Sequence, residues 1–454
     1  MLTIEQIMAL LIFVVMFVLI ISDKIERQYV TLGAAVLTIV FTFGICMKSP
    51  KAIFRALNIQ HFNEVSFWIS KEGAEATTTG INWETIIFIA GMMIMVEGMG
   101  KAGFFKWLCM KIAKLVNYKP IPLLVSFMIM SFCLAMFIDS ITVILFLAAV
   151  TVELAQLLKL DPIPMILSEI FCANLGGSAT MCGDPPNIII GTSLHYSFKD
   201  FIQNTGIIAI ISLAVIVIYF LMVYRKELIQ EKVTDEDIKA MPEPYEVIHS
   251  TKEFVISSAI FFLAVVLLVT HERTGLTVGF IGIIIALLTL VTSGKNAVEL
   301  VKEVDYKTLV FFMGLFVVVS GLEETGVLKL LAQHIEKLSG GNVIIMVAII
   351  IWVSGIASAV VDNIPFAATM IPVISSLSAT SGVDLSILAW ALALGTDVGG
   401  SATPIGASAN VVGTSVAIKN GYIITWGKYC KTSIPATIIV MVISMLMIIV
   451  RYCL

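Results

Sequence analysis

Asn174-Leu175-Gly176-Gly177-Ser178-Ala179-Thr180-Met181-Cys182-Gly183-Asp184-Pro185-Pro186-Asn187 is a polar stretch, broken by glycine and proline, between two apolar runs. Adding 223 to each number reaches Asp397-Val398-Gly399-Gly400-Ser401-Ala402-Thr403-Pro404-Ile405-Gly406-Ala407-Ser408-Ala409-Asn410, identical at seven of fourteen positions. In lipid, backbone polar groups need protein or water partners, so an interrupted helix at membrane depth must be enclosed or line a cavity. The pair predicts two copies of one membrane repeat, each centred on a broken helix. The register continues through Trp83/Tyr306, Thr85/Thr308, Gly91/Gly314, Gly98/Gly321, Gly103/Gly326, Asp139/Asp362 and Asp161/Asp384. Matched Gly and Asp are no part of apolar periodicity, which points to duplication.

Composition agrees. The 454 residues are 59% hydrophobic and 13% charged, and the mean hydropathy is +1.01. Soluble domains are about 45–50% apolar and about 25% charged, so a polytopic membrane protein is expected. The net charge of -4 has no basic stripe behind it, which excludes nucleic acid as a partner. The seven cysteines form no CxxC pair, leaving neither a zinc site nor a disulfide framework. The first apolar run lacks a basic leader and a small-residue cleavage site, so it is expected to be retained.

Apolar runs long enough to cross a bilayer fall at 4–21, 29–47, 83–99, 123–138 and 141–158, then the broken pair 165–175 with 186–194, then 205–224. The second half repeats the plan at 254–270, 276–291, 309–321, 343–361 and 364–380, the broken pair 387–396 with 408–418, and 433–450. Residues 1–226 are thus expected to form the first membrane repeat, 227–251 a cytoplasmic linker and 252–454 the second repeat. The runs flanking Asp139 meet without a loop, and one continuous helix would overshoot the hydrocarbon core. A re-entrant hairpin with its tip at Asp139-Ser140-Ile141-Thr142 is expected, with a twin at Asp362-Asn363-Ile364-Pro365. Each half then has five spans and one hairpin, and an odd number of spans makes the repeats inverted, as in many secondary transporters. Lys and Arg fall about two to one on the linker side, which places the linker in the cytoplasm and both termini outside. Two amphipathic stretches, 101–119 and 327–338, read as interfacial helices or as ordinary loop helices.

The broken helices are the first place for chemistry. Gly176-Gly177 suits a left-handed cap at the end of a half-helix, and Asp184-Pro185 suits an N-cap followed by proline. A negative and a positive helix end would then face each other inside the membrane, one favouring cations and the other anions. Ser178, Thr180, Gly183 and Asn187 in one copy, and Gly399, Gly400, Ser401, Thr403, Gly406, Ser408 and Asn410 in the other, would offer oxygens, amides and close backbone approach to a small ion. A single break reads equally well as a packing kink; two in register favour a binding site. Asp139, Glu169, Asp184, Asp362 and Asp397 lie in or beside apolar spans, where charge marks an ion or proton path, although Asp139 and Asp362 also suit N-caps and Asp184 suits one first. Asp397 replaces Asn174 at the negative end of a half-helix, so it needs a proton or a cation partner. Glu169 is expected to be either a proton carrier or a neutral buried acid. Every Arg is placed at the end of a span, which argues against a multivalent carboxylate as solute. Cys172 and Cys182 read as small buried residues.

These motifs carry a resemblance. Gly183-Asp184-Pro185-Pro186-Asn187-Ile188-Ile189, Asn174-Leu175-Gly176-Gly177-Ser178-Ala179-Thr180, Phe137-Ile138-Asp139-Ser140-Ile141-Thr142, the run from Asp362-Asn363-Ile364-Pro365 to Pro372, and Ile405-Gly406-Ala407-Ser408-Ala409-Asn410-Val411-Val412 are similar to the ion transporter superfamily. The likeness is to the branch of arsenite-efflux permeases and the melanosomal P protein, with NhaD-type sodium/proton antiporters and divalent-anion/sodium symporters further off. It implies an elevator-type carrier in which hairpin tips and broken helices form the substrate and ion sites. Ser140 stands where that branch more often has Asn, and Asp397 where it has a small or neutral residue.

The function expected is cation- or proton-coupled secondary transport of a small inorganic ion or oxyacid, arsenite-like in the first instance. The alternatives are a sodium/proton antiporter and a sodium-coupled di/tricarboxylate symporter. An enzyme is not expected, because five scattered histidines offer no nucleophile–base or metal constellation. No organic cofactor or bound metal centre is expected. The coupling ion would be sodium or a proton, with sodium near Asp139 and Ser178 and near Asp362, Asp397 and Ser401. No GxxxxGK[ST] loop is present, so ATP drive would need a separate ATPase subunit. A homodimer in the plasma membrane is the expected assembly.

Overall fold

The computed structural model describes residues 2–22, 24–69, 80–230, 233–234, 238, 241–248 and 250–453. Most of the linker's acidic run, with Glu231, Lys232 and Asp235 to Asp237, lies outside the described residues, as do Lys71, Lys239 and His249. The described chain is helical, with one isolated bridge between Ile69 and Leu276. In chain order the main helices are α1 (Ile4–Ser22), α2 (Arg27–Leu37), α3 (Trp83–Lys101), α4 (Phe104–Leu115), α5 (Pro120–Ala135), α6 (Ser140–Leu158), α7 (Ile163–Gly177), α8 (Pro185–Leu194) and α9 (Ile207–Gln230). After the linker come α10 (Thr251–Thr274), α11 (Val278–Ser293), α12 (Tyr306–Glu324), α13 (Val327–Ser339), α14 (Val343–Val360), α15 (Asn363–Ser381), α16 (Leu385–Gly400), α17 (Ser408–Lys419) and α18 (Trp426–Tyr452). Among the described residues, 11 helices are long and apolar enough to cross a membrane. The protein is an all-α integral membrane protein.

The elements follow the apolar runs, with shifted ends. The run 29–47 is not one regular helix: α2 loosens into a π-helix over Thr38–Cys46. The run 309–321 extends to Tyr306–Glu324 because Asp305 caps it through Thr308 N. Gly103 and Gly326, 223 apart, both take left-handed backbone just before α4 and α13. The positively charged face of α4 is tied down by Lys106 to Glu153 and by Lys114 to Glu243 of the linker.

Burial separates two sets of helices. Every residue of α7 and α8 is buried, whereas only 22% of α1 and of α10 is covered, leaving their apolar faces for lipid. Around the central helices, α5 packs on α7 and α14 on α16, while α6 packs on α17 and α15 on α8. The helices α6 and α15 thus each lie against the half-helix of the other half of the chain. Outside them, α2 packs on α12 and α3 on α11. Helices in lipid gain nothing from apolar burial against one another, so close approach at small residues supplies the packing. At α3 and α11 a Cβ built on Gly91 would stand 2.3 Å from the Gly282 carbonyl oxygen.

Gly91→Val is therefore expected to lower stability by about 1–3 kcal/mol, the cost of overpacking a close contact. Thermal unfolding of the purified protein in detergent checks it; an unchanged midpoint would contradict the contact.

Candidate functional site

In a broken transmembrane helix the freed carbonyls must find partners inside the protein. One asparagine does this in each copy. Asn187 Nδ2 donates to Gly177 O at 2.9 Å and Thr180 O at 3.1 Å. Asn410 Nδ2 donates to Gly400 O and Thr403 O, both at 2.8 Å. The threonines then tie each break to the turn of the neighbouring helix pair, Thr180 Oγ1 donating to Met136 O and Thr403 Oγ1 to Ala359 O. Between the copies, Asn174 Nδ2 donates to Asn410 Oδ1 at 2.8 Å and to Ser401 Oγ at 3.1 Å. Ser178 Oγ donates to Leu175 O within its own helix. Hydroxyls and amides that the sequence offered to a solute are thus largely committed to holding the breaks.

The glycines serve packing rather than capping. Gly176 and Gly177 are absent from the positive-φ residues, and α7 ends on right-handed backbone at Ser178. The left-handed cap expected there is not formed. Instead a Cβ on Gly176 would stand 2.3 Å from Phe132 O, and one on Gly399 2.3 Å from Gly355 Cα. Gly183 lies against Gly177 O and Gly406 against Gly400 O, folding each break back on itself. Gly177 leaves room for the Asp184 carboxylate, which a Cβ would meet at 2.4 Å.

Asp184 also departs from expectation. It occupies the N-cap position of α8 but makes no side-chain cap. Its Oδ1 instead accepts from Ser140 N at 3.0 Å, strapping the break to the Asp139 tip. The caps are Asp139 and Asp362. Asp139 accepts from Thr142 N and Oγ1 at 2.9 and 2.7 Å, and Asp362 Oδ1 accepts from Ile364 N at 3.3 Å. Asn363 and Pro365 are buried behind that tip.

A cavity of about 310 Å³ joins these parts. Both tips reach it through Asp139 and Asp362, both breaks through Pro185 and Ser408, and α3 and α12 wall it with Met92 and Phe311. Two cations line it, Arg27 and Lys307. Arg27 Nη1 donates to Asp362 Oδ2 at 2.5 Å, and Ser408 Oγ donates to the same oxygen at 3.1 Å. Lys307 pairs with Glu26 at 2.9 Å at the exposed edge. Contrary to the expectation that Arg at span ends is remote from the solute, Arg27 starts a helix and yet stands in the cavity against a buried carboxylate. Asp139 takes no basic partner among the described ion pairs.

Two buried carboxylates stand apart. Asp397, fully buried near the end of α16, has no hydrogen-bond partner for either oxygen. Asp184 is within its electrostatic reach. Glu169 is equally buried; Oε1 accepts from Thr151 Oγ1 at 2.7 Å, and Oε2 has no partner. Among the described residues no group of three His, Cys, Asp or Glu stands ready to hold a metal. A cation at Asp397 would draw its other ligands from carbonyls and hydroxyls, as a hard monovalent ion does.

A helical membrane protein with paired breaks closing on one cavity belongs to the transporter class. A family profile described as "Citrate transporter" (CitMHS) matches residues 17–395, and the chain belongs to that family. It is 30% identical over 449 residues to the "46 kDa membrane protein" of Mycobacterium leprae, covering 98% of this chain and 99% of the relative. An uncharacterized transporter of Mycobacterium tuberculosis is 30% identical over 450 residues, with the same shares of 98% and 99%. The P protein of Sus scrofa is 25% identical over 82% of this chain and 53% of its own length. The YdaH transporter of Alcanivorax borkumensis is similar in fold at a TM-score of 0.59 and 12% identity, over 94% of this chain and 98% of that one. MtrF of Neisseria gonorrhoeae aligns at 0.56 and 12%, over 99% and 95%.

Asn187→Ala and Asn410→Ala each strip the partner from two buried carbonyls, a loss of about 1–3 kcal/mol per unsatisfied group. Each is expected to lower the thermal midpoint, Asn410→Ala the more because it also loses the bond from Asn174; a silent variant at either position would contradict this.

Proposed function

We propose that the protein is a cation- or proton-coupled secondary transporter that carries a small anion through the cavity. The observation that carries this reading is Asp397. An isolated buried carboxylate with neither oxygen paired is too costly to keep charged, and the end of a helix adds the negative pole of its dipole. It must hold a proton or a cation, which is what a coupling site does. The other half of the reading is charge at the cavity wall. Glu26, Asp139 and Asp362 line it beside Arg27 and Lys307, so the wall is not net positive. What favours an anionic solute, an oxyanion or a di- or tricarboxylate, over a neutral arsenite-like oxyacid is that each cation stands at a carboxylate, Arg27 at Asp362 and Lys307 at Glu26, whose place a solute anion can take. The family description points the same way.

In this reading the two halves are inverted repeats and the helix pairs α5–α6 and α14–α15 are re-entrant hairpins. They move with the broken helices against a frame of α2, α3, α11 and α12, with α4 and α13 as the arms. The linker faces the cytoplasm and a homodimer is the working unit. Sodium/proton antiport is the second reading, favoured by Glu169, a further buried acid with an unpartnered oxygen. A sodium ion near Asp397 and Ser401 serves either scheme.

Flux in proteoliposomes under imposed sodium or proton gradients, with arsenite, phosphate, succinate and citrate in turn, tests the reading. Gradient-driven uptake or efflux of an anion is expected, with Asp397→Asn abolishing its dependence on the gradient. A gradient-independent leak, or an Asp397→Asn variant with full ion dependence, would contradict it.

A further inference from the structure

Asp139 and Asp362 occupy matched positions 223 apart, and both cap the helix that follows them. Their surroundings differ. Asp139 is satisfied by Thr142 of its own hairpin. Asp362 gives one oxygen to its cap and the other to Arg27 and Ser408. The fold does not need a cation at such a tip, since the Asp139 copy forms without one. Arg27 belongs to α2, which packs chiefly on α12, and α12 also touches α15; the ion pair adds a direct tie between α2 and the start of α15 at the cavity wall. The Arg27 side chain is 30% exposed while that of Asp362 is 4% exposed, and both residues line the cavity, so Arg27 is the more accessible member of the pair. The guanidinium fork matches a carboxylate or an oxyanion equally well.

We propose that Arg27 is the anion-selecting residue of the cavity, and that Asp362 is its resident competitor: the anion enters by taking the place of Asp362 on Arg27, which unfastens α15 from α2. This rests on the carrier reading above and adds to it which residue meets the charge of the solute and which contact the solute breaks. The pair is a competition, so its two members have opposite effects on anion binding. Removing Arg27 removes the anion's partner. Removing the charge of Asp362 removes its rival, and Ser408 and the cap at Ile364 N can be kept by the isosteric amide.

The test combines transport with a binding readout that does not need transport. Wild-type protein, Arg27→Gln, Asp362→Asn and the swap Arg27→Asp/Asp362→Arg are compared by thermal stabilisation in citrate, succinate and phosphate and by counterflow of the same anions. For Arg27→Gln, at least tenfold weaker anion stabilisation and counterflow are expected. For Asp362→Asn, the half-saturating anion concentration is expected to fall several-fold. The swap is expected to regain the part of the unfolding midpoint that the ion pair supplies, short of the cap at Ile364 N, which Arg cannot accept, while leaving anion transport at the level of Arg27→Gln. Wild-type-like anion transport by the swap, unchanged affinity in Arg27→Gln, or weaker anion binding in Asp362→Asn would overturn the assignment while the carrier reading stands. Wild-type protein that carries arsenite or sodium but no anion would overturn it too. No gradient-driven flux of any solute would remove the reading on which it rests.

Discussion

The structure depends on how two interrupted helices are satisfied without water. Breaking a helix in lipid frees carbonyls that cost several kcal/mol each if left bare. Asn187 and Asn410 each span ten residues of chain to close their own break, and Thr180 and Thr403 fasten the result to the adjoining helix pair. Once the breaks are held, everything else has a place. Gly183 and Gly406 can fold inward, the tips can approach, and Asn174 can join one break to the other.

On that shared frame the two copies differ where charge is concerned. Asn174 has become Asp397, Asp184 has become Ala407, and Pro185 has become Ser408. The first copy uses its carboxylate as a strap to Ser140 N. The second has a carboxylate with no strap at all, at the end of a half-helix. Arg27 then pairs with the Asp362 tip and not with Asp139. Matched local geometry thus carries an asymmetric charge pattern, with an unpartnered buried acid at Asp397 and a base, Arg27, at the Asp362 tip.

Much of this was legible in the sequence. The helix starts capped by Asp139 and Asp362 could be read because an aspartate followed by Ser or Asn stands between two apolar runs with no loop, and the breaks because Gly and Pro recur 223 residues apart. Helix ends were less legible, since caps such as Asp305 lie beyond the apolar run. The π-helix over Thr38–Cys46 leaves no mark in an unbroken apolar sequence. Arg27 could not be read: it lies 335 residues from Asp362, at a helix start where Arg is ordinary, with no counterpart in the second copy. Gly176 and Gly177 form no cap because a glycine at a helix end suits a left-handed cap and a close contact equally, and only the neighbours, Phe132 for Gly176 and Asp184 for Gly177, decide between them. The same holds for Asp184, whose partner Ser140 lies 44 residues away.

The central claim is that one cavity holds an anion at Arg27 while a cation or proton sits at Asp397. An experimental structure of the protein in lipid, solved with whichever anion the flux panel identifies and with sodium, tests this most directly. The account predicts anion density at the Arg27 guanidinium, with Asp362 drawn away from it, and either sodium density or a hydrogen-bonded, protonated carboxyl at Asp397. Anion density outside the cavity, with the Arg27–Asp362 pair intact and Asp397 still unpartnered, would contradict it.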